Sequence, residues 1–329
     1  MRTGGAGDRL RWAATGGDPD RPRGKVGLLS CIAFAVGTMV GAGVFVLSGL
    51  AIRRAGPAAL AAFGLAGVLV LLSALSFAVV ASVAPPGGSG YAYVGTALGR
   101  HWGFVASWCF YLGGVIGTAF VLNAFGVYVH RFFWGGPPAA TFAICAVGLL
   151  ALLNLGPASA IGRAEVVLVA VKVGVLVLLV AFALIHVHRA HFTPFLPHGA
   201  GSVVTTSALL FIAYLGFNVL TNMAGDVDRP HRTIPLAIVV SMAIVAAIYL
   251  GVVVALLAGR VTTYDEASVG TAARHLMGAW GGVLIPVAAL VSPVGGQREH
   301  PAHRRSWCGW PASATCPPCW GAPGTGTRC

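Results

Sequence analysis

Two glycine-bearing stretches and one lysine are the residues whose type and placement could do chemistry in this chain. The first stretch is Gly37-Thr38-Met39-Val40-Gly41-Ala42-Gly43-Val44-Phe45. Each of its three glycines weakens a helix by roughly 1 kcal/mol relative to alanine. One consequence could be close helix packing, since Gly37 and Gly41 form a GxxxG face. The other is a broken helix, whose free amides and positive end would receive an anionic group. The residues alone leave both open. A weaker echo follows at Phe211-Ile212-Ala213-Tyr214-Leu215-Gly216-Phe217-Asn218. The lysine is Lys172, the one charge among the Val and Leu residues that follow Glu165. An ionisable group at that depth is costly and marks ion or substrate pathways. Its stem is too short to bring the amine to the interface from mid-span. Charged, it needs carbonyls of a broken helix, which the first stretch could supply. A proton-coupling role is expected for Lys172, with a structural salt bridge as the alternative.

Other candidates carry less. Cys316-Pro-Pro-Cys319, with Cys308 and Cys329, could ligate a metal, but the spacing fits no standard zinc ribbon. His186, His188, His191 and His198 cluster in a segment better read as a solvated loop. Asn123 and Tyr249 read as polar groups that pack helices together. No His, Asp, Glu or Ser constellation supports an enzyme, and no cofactor or metal is expected. Cys31, Cys109 and Cys145 each sit alone in apolar runs, where a thiol behaves as a small hydrophobe.

The elements that must position these residues are membrane helices. Hydrophobic residues make up 57% of the 329-residue chain and charged residues 9%, and mean hydropathy is +0.83. A soluble domain carries about 25% charged residues, so lipid is the expected main solvent. The net charge of +12 could point to nucleic acid. Basic segments flanking spans account for it instead, because Arg2, Arg9, Arg11, Arg21, Arg23 and Lys25 precede the first apolar run; no nucleic-acid partner is expected.

A span needs about 20 mostly apolar residues. Seven stretches qualify: Leu28–Leu50, Pro57–Val83, Trp102–His130, Ala139–Leu155, Glu165–Ile185, Val203–Met223 and Ile234–Ala258. An eighth begins near Trp280 and is cut short by about Pro293. The expected organisation is a disordered cytoplasmic N-terminus over 1–25, a transmembrane domain over 26–293 and an aberrant tail over 294–329. That tail mixes Arg, Pro, Gly, Cys and Trp as GC-rich coding does when read out of register. A native disordered tail and a metal site are the alternatives. The basic N-terminal segment places the N-terminus inside, in a cell (inner) membrane.

Spans one and six hold corresponding positions if the repeat unit is five spans, and inverted-repeat transporters break corresponding helices in their two halves. In that order and spacing, the chain resembles the amino acid–polyamine–organocation superfamily of permeases over roughly Lys25 to Pro293. The resemblance rests on GTMVGAGVF and Ala55-Gly56-Pro57-Ala58, then Pro85-Pro86-Gly87-Gly88-Ser89-Gly90-Tyr91-Ala92-Tyr93. Asp226-Val227-Asp228-Arg229-Pro230 with Ile234-Pro235 completes it. It implies an all-α fold of two inverted five-helix repeats with discontinuous helices one and six, the second repeat incomplete here. Substrate would lie between those two helices near the bilayer midplane. By matching positions, Gly41, Ala42 and Gly43 would offer amides to a substrate carboxylate. Carbonyls of Met39, Ile212 and Leu215 would face its amino group, with Gly216 and Asn218 beside them. Asn218 stands where many members place an acid, and Phe77-Ala78-Val79-Val80-Ala81 lacks the glutamate usual there. Some similar permeases place a coupling lysine at the position of Lys172.

The expected function is therefore secondary transport of an amino acid or related amine, driven by protons through alternating access. A seven-span receptor or signalling protein is the rival from another class. A truncated permease product that transports nothing is the other.

Overall fold

A charge-poor chain in lipid must satisfy its backbone internally, and helices do so within each segment. The computed structural model describes residues 27–83, 94–154, 158–188, 193–217 and 230–291, less positions 96, 134, 260 and 262, together with Leu220 and Val227. All belong to the compact unit Met1–Gln297. The proposed N-terminal segment and tail lie outside the described residues.

The first span is two helices, α1 (Leu28–Met39) and α2 (Ala42–Ala55). A 3-10 turn at Gly56–Ala58 then leads into α3 (Ala59–Val83). Gly56 has φ +63° there, beside a proline that can open a helix but not continue one. The chain continues as α4 (Arg100–Phe132), α5 (Ala139–Asn154) and α6 (Ala158–His186). The sixth span is α7 (Gly199–Leu210), which tightens into a 3-10 turn over Phe211–Tyr214. Three helices follow: α8 (Pro230–Ala258), α9 (Ser268–Met277) and α10 (Gly281–Val291).

Among the described residues four helices are long and apolar enough to cross a membrane: Gly43–Val79, His101–Phe132, Val167–His186 and Arg232–Ala258. Leu28–Met39, Ala139–Leu152 and Gly199–Tyr214 are apolar but shorter. The first and third of these belong to the two interrupted spans.

The core forms around α8, which packs on α1, α2, α3 and α6. Half of its apolar window is buried, against 6% of the window of α4. Ile238, Val245, Tyr249, Val252 and Leu256 of α8 have no exposed surface to speak of. By contrast Trp102, Phe104, Trp108, Tyr111 and Ile116 of α4 are exposed. A face of that composition is stable only against hydrocarbon or another helix. The architecture is that of a multi-pass membrane protein whose interior helix is α8.

Candidate functional site at two helix interruptions

The break in the first span is a single tight turn. Val40 sits at φ −74°, ψ 70°, the inverse γ-turn geometry. The Gly41 amide accordingly donates to the Met39 carbonyl, two residues back, at 2.7 Å. In an uninterrupted helix that amide would have gone to Gly37. Gly41 is then extended, at φ −98°, ψ −161°, and serves as N-cap of α2 with no side-chain cap of its own. The amides of Ala42, Gly43 and Val44 form the first turn of α2, where helical geometry supplies no internal acceptor.

The second interruption packs directly on the first. After the 3-10 turn, Leu215 is extended (ψ 141°) and its amide donates to the Ile212 carbonyl at 3.3 Å. Gly216 follows with φ +139°, which side-chain-bearing residues rarely adopt. A Cβ on Gly216 would lie 3.1 Å from the Met39 amide nitrogen and 3.2 Å from its Cα. A Cβ on Gly43 would lie 3.3 Å from the Ala213 Cα. The two broken segments thus meet backbone to backbone.

One phenol joins them. The Tyr249 hydroxyl on α8 lies 2.7 Å from the Met39 carbonyl and 2.8 Å from the Ala213 carbonyl, so its one proton is shared between carbonyls of both interrupted spans. Its ring stands edge-on to Phe63 at 5.7 Å and 5.0 Å from Tyr214, measured between centroids. Tyr214 in turn donates to the Phe63 carbonyl at 3.1 Å. Thr38 adds a further link, its hydroxyl 3.0 Å from the Ala35 carbonyl and 3.4 Å from that of Gly216.

Lys172 belongs to the same arrangement. Its side chain is 1% exposed, and Nζ donates to the Gly37 carbonyl at 2.8 Å. This is the carbonyl that lost its helical donor when Gly41 turned to Met39. Val169, one turn earlier on α6, explains the glycine: a Cβ on Gly37 would press to 2.8 Å from a Val169 methyl. Only a bare backbone lets α1 approach α6 closely enough for the amine to reach.

The structure therefore brings Met39, Gly41, Gly43, Ala213, Gly216 and Lys172 into one region. The Met39 carbonyl already receives the Gly41 amide and faces Tyr249, and the Ile212 carbonyl receives the Leu215 amide. In this arrangement these two carbonyls and the Gly41 amide are engaged within the chain. The side chains of Ile212 and Leu215 are exposed; only their backbones belong to the turn. Ala42 begins α2, and Asn218 lies outside the described residues. No group of three or more potential metal ligands occurs among the described residues. Asn123 is exposed on α4. Tyr249 is the residue that sequence reasoning undervalued. The available signal was a phenol in an apolar span, since a buried hydroxyl needs a partner.

The interrupted helices, buried amine and apolar lateral surface define a polytopic membrane protein built around backbone polar groups rather than catalytic side chains. Residues 31–291 match the amino acid permease family model, and the chain belongs to that family, a family of membrane transporters rather than enzymes. It is 27% identical over 276 residues to the inner membrane transport protein YbaT of Escherichia coli, covering 81% of this chain and 64% of that protein. Similarity to the branched-chain amino acid permease BcaP of Bacillus subtilis is 30% over 260 residues, 73% of this chain and 56% of the permease. The serine/threonine exchanger SteT of the same organism is 29% identical over 286 residues, 82% of this chain and 64% of its own length. The chain spans less than two thirds of the length of these relatives.

Proposed function

We propose that this chain forms the substrate-binding part of a secondary transporter for amino acids or related amines, coupled to protons through Lys172. The observation that carries the proposal is the backbone-to-backbone meeting of the two helix interruptions, with Gly216 against Met39 and Gly43 against Ala213. Interrupted helices concentrate unpaired amides and positive ends in the membrane interior, where a carboxylate otherwise finds no donor. Within that frame the amides of Ala42 and Gly43 receive the carboxylate. Gly41 contributes the space its missing side chain leaves, and its amide is released if the γ-turn opens. Carbonyls at Met39, Ile212 and Leu215, with Gly216 and Asn218 alongside, face the amino group once their present donors are displaced. Lys172 senses the break through the Gly37 carbonyl, so its protonation and the position of α1 are linked. The names of relatives such as BcaP and SteT support amino acids as the substrate class. The same frame implies two inverted five-helix repeats. Seven spans plus the start of an eighth, an N-terminus inside and an inner-membrane location complete the reading.

The test is equilibrium binding of a labelled panel of neutral, branched-chain and cationic amino acids to the purified full chain in lipid nanodiscs. Saturable binding of at least one is expected, weakened more than tenfold by Gly41→Val, whose side chain fills the carboxylate's space. Saturable binding left intact in a well-folded Gly41→Val would assign the glycines to packing alone.

A further inference from the structure

The last turn of α2 carries two adjacent arginines, Arg53 and Arg54, and both are exposed. One cation there complements the negative end of the helix dipole; the second is surplus to that need. The segment that touches α2 nearby, where the Asp265 carbonyl meets the backbone at Gly49, brings the acids Asp265 and Glu266. Asp265 is taken by Arg131 of α4, in an ion pair that involves neither Arg53 nor Arg54. Arg53, Arg54, Arg131 and Arg274 stand against those two acids, so this end of the bundle is positive among the described residues.

A loop of different character lies beside the pair. Gly56 closes α2, and a Cβ on it would come 2.5 Å from Cγ of Pro197, so the approach to α7 runs along the last turn of α2. Residues 193–198 of that approach are exposed throughout. Among them Phe195 and Leu196 are 44% and 48% accessible. Two apolar side chains next to two guanidiniums suit the boundary of a bilayer, where the first pair enters the acyl region and the second reaches phosphates.

We propose that Arg53, Arg54, Phe195 and Leu196 form a binding site for an anionic phospholipid at this end of the bundle. Guanidinium forks match phosphate oxygens in a bidentate way that an ammonium group does not, and Phe195 and Leu196 lie where the acyl chains leave the glycerol. A free phosphate or a small carboxylate would use the arginines and leave the apolar pair idle. A zwitterionic lipid brings an ammonium group that the arginines repel. With the N-terminus inside, the pair also sits on the side where topology disfavours positive charge, and a lipid contact gives these charges a role that orientation does not. The site is roughly 20 Å along α2 from the turn at Gly41, so it stands whether or not the carried substrate is an amino acid.

The experiment titrates the purified full chain in detergent with phosphatidylglycerol or phosphatidylcholine of the same acyl chains and counts bound lipids by native mass spectrometry. An arginine near an anionic lipid surface gives about a fivefold preference, so the first lipid bound by the parent should be phosphatidylglycerol, preferred by about tenfold or more. Arg53→Gln with Arg54→Gln should remove most of that preference. Phe195→Ser with Leu196→Ser should weaken both lipids and keep the preference between them. Arg274→Gln, an exposed charge of α9 at the same end, should change retention by less than about twofold. All four site residues are exposed, so the lipid-free melting temperature should stay at the parent value in each variant. A preference unchanged in the double glutamine variant overturns the site, and so does an equal loss in Arg274→Gln, which would mean a response to net charge alone. Retention unchanged in the double serine variant, or complete displacement of the lipid by excess inorganic phosphate, would reduce the patch to a bare anion site and overturn the lipid assignment.

Discussion

A carbonyl released from a helix inside a bilayer needs a donor, and this chain supplies several from side chains. Gly37 receives Lys172, while Met39 and Ala213 share the proton of Tyr249. The lysine differs from the phenol in that its charge can change. A protonated amine makes a charge-assisted bond roughly twice as strong as a neutral one, so proton loss weakens the tie between α6 and α1. A ligand or proton can bias a two-state equilibrium only through such a differential contact. Lys172→Ala should accordingly abolish uphill, pH-driven uptake in proteoliposomes while leaving equilibrium substrate binding within a few-fold. Uphill uptake at the parent rate would leave Lys172 as a structural donor. Tyr249→Phe removes the shared proton, leaving the Met39 carbonyl with the Gly41 amide alone and taking this donor from the Ala213 carbonyl, a cost of about 1–3 kcal/mol. Thermal unfolding in detergent should move down accordingly, and α1 near Met39 should lose hydrogen-exchange protection; an unchanged melting point and exchange pattern would argue that water replaces the phenol.

Between elements, the decisive feature is the fit of one turn against the other. Gly216 combines φ +139° with a Met39 backbone 3.1–3.2 Å from any Cβ. Gly216→Ala should therefore cost more than the roughly 1–3 kcal/mol expected of the backbone conformation alone, because the methyl group also pushes the two interruptions apart. The check is a thermal shift compared with Gly174→Ala, at a helical glycine with nothing within 4 Å, which should be neutral or stabilising. Equal shifts would remove the packing argument. The sequence left the first interruption as one of two open readings, because glycines at 37, 41 and 43 deplete helix propensity within two turns and also offer a packing face. It could not say where the turn falls, since that depends on Val40 closing a γ-turn. The second interruption was faint: a lone glycine does not reveal that Met39 lies against it. Span limits followed hydropathy only loosely. The helix of the fifth span, α6, begins at Ala158 rather than near Glu165, because helical hydrogen bonding continues through Arg163 and Glu165 beyond the apolar stretch. Lys172 was legible as an anomaly of charge, and its partner carbonyl followed from the need to satisfy it. Tyr249 was legible as a polar group that packs helices together, but not as the bridge between the breaks, which exists only once both come under one hydroxyl.

At the scale of the whole molecule, the distribution of charge makes a testable prediction of which way the bundle sits. With the N-terminus inside, the cytoplasmic side carries Arg100, Arg163, Arg229 and Arg232 together with Arg2, Arg9, Arg11, Arg21, Arg23 and Lys25. The opposite side carries Arg53, Arg54, Arg131, Arg189, Arg260 and Arg274. The balance is ten against six with the N-terminal segment and four against six without it. Excess Lys and Arg near span ends fixes the cytoplasmic side, and the first helix usually dominates. Arg53 and Arg54, exposed at the end of α2, then stand against the rule and are outweighed only by the six charges before residue 26. Replacing those six by glutamine should therefore produce a mixed or inverted population, whereas replacing Arg53 and Arg54 should leave the orientation as it was. Arg274→Cys on the exposed face of α9 reports the outcome through labelling by an impermeant thiol reagent in intact cells. The parent should label fully from outside, and the six-fold glutamine variant should lose a large part of that labelling. Complete external labelling in both would mean that later spans, not the N-terminal charges, set the topology, and internal labelling of the parent would reverse the assignment altogether.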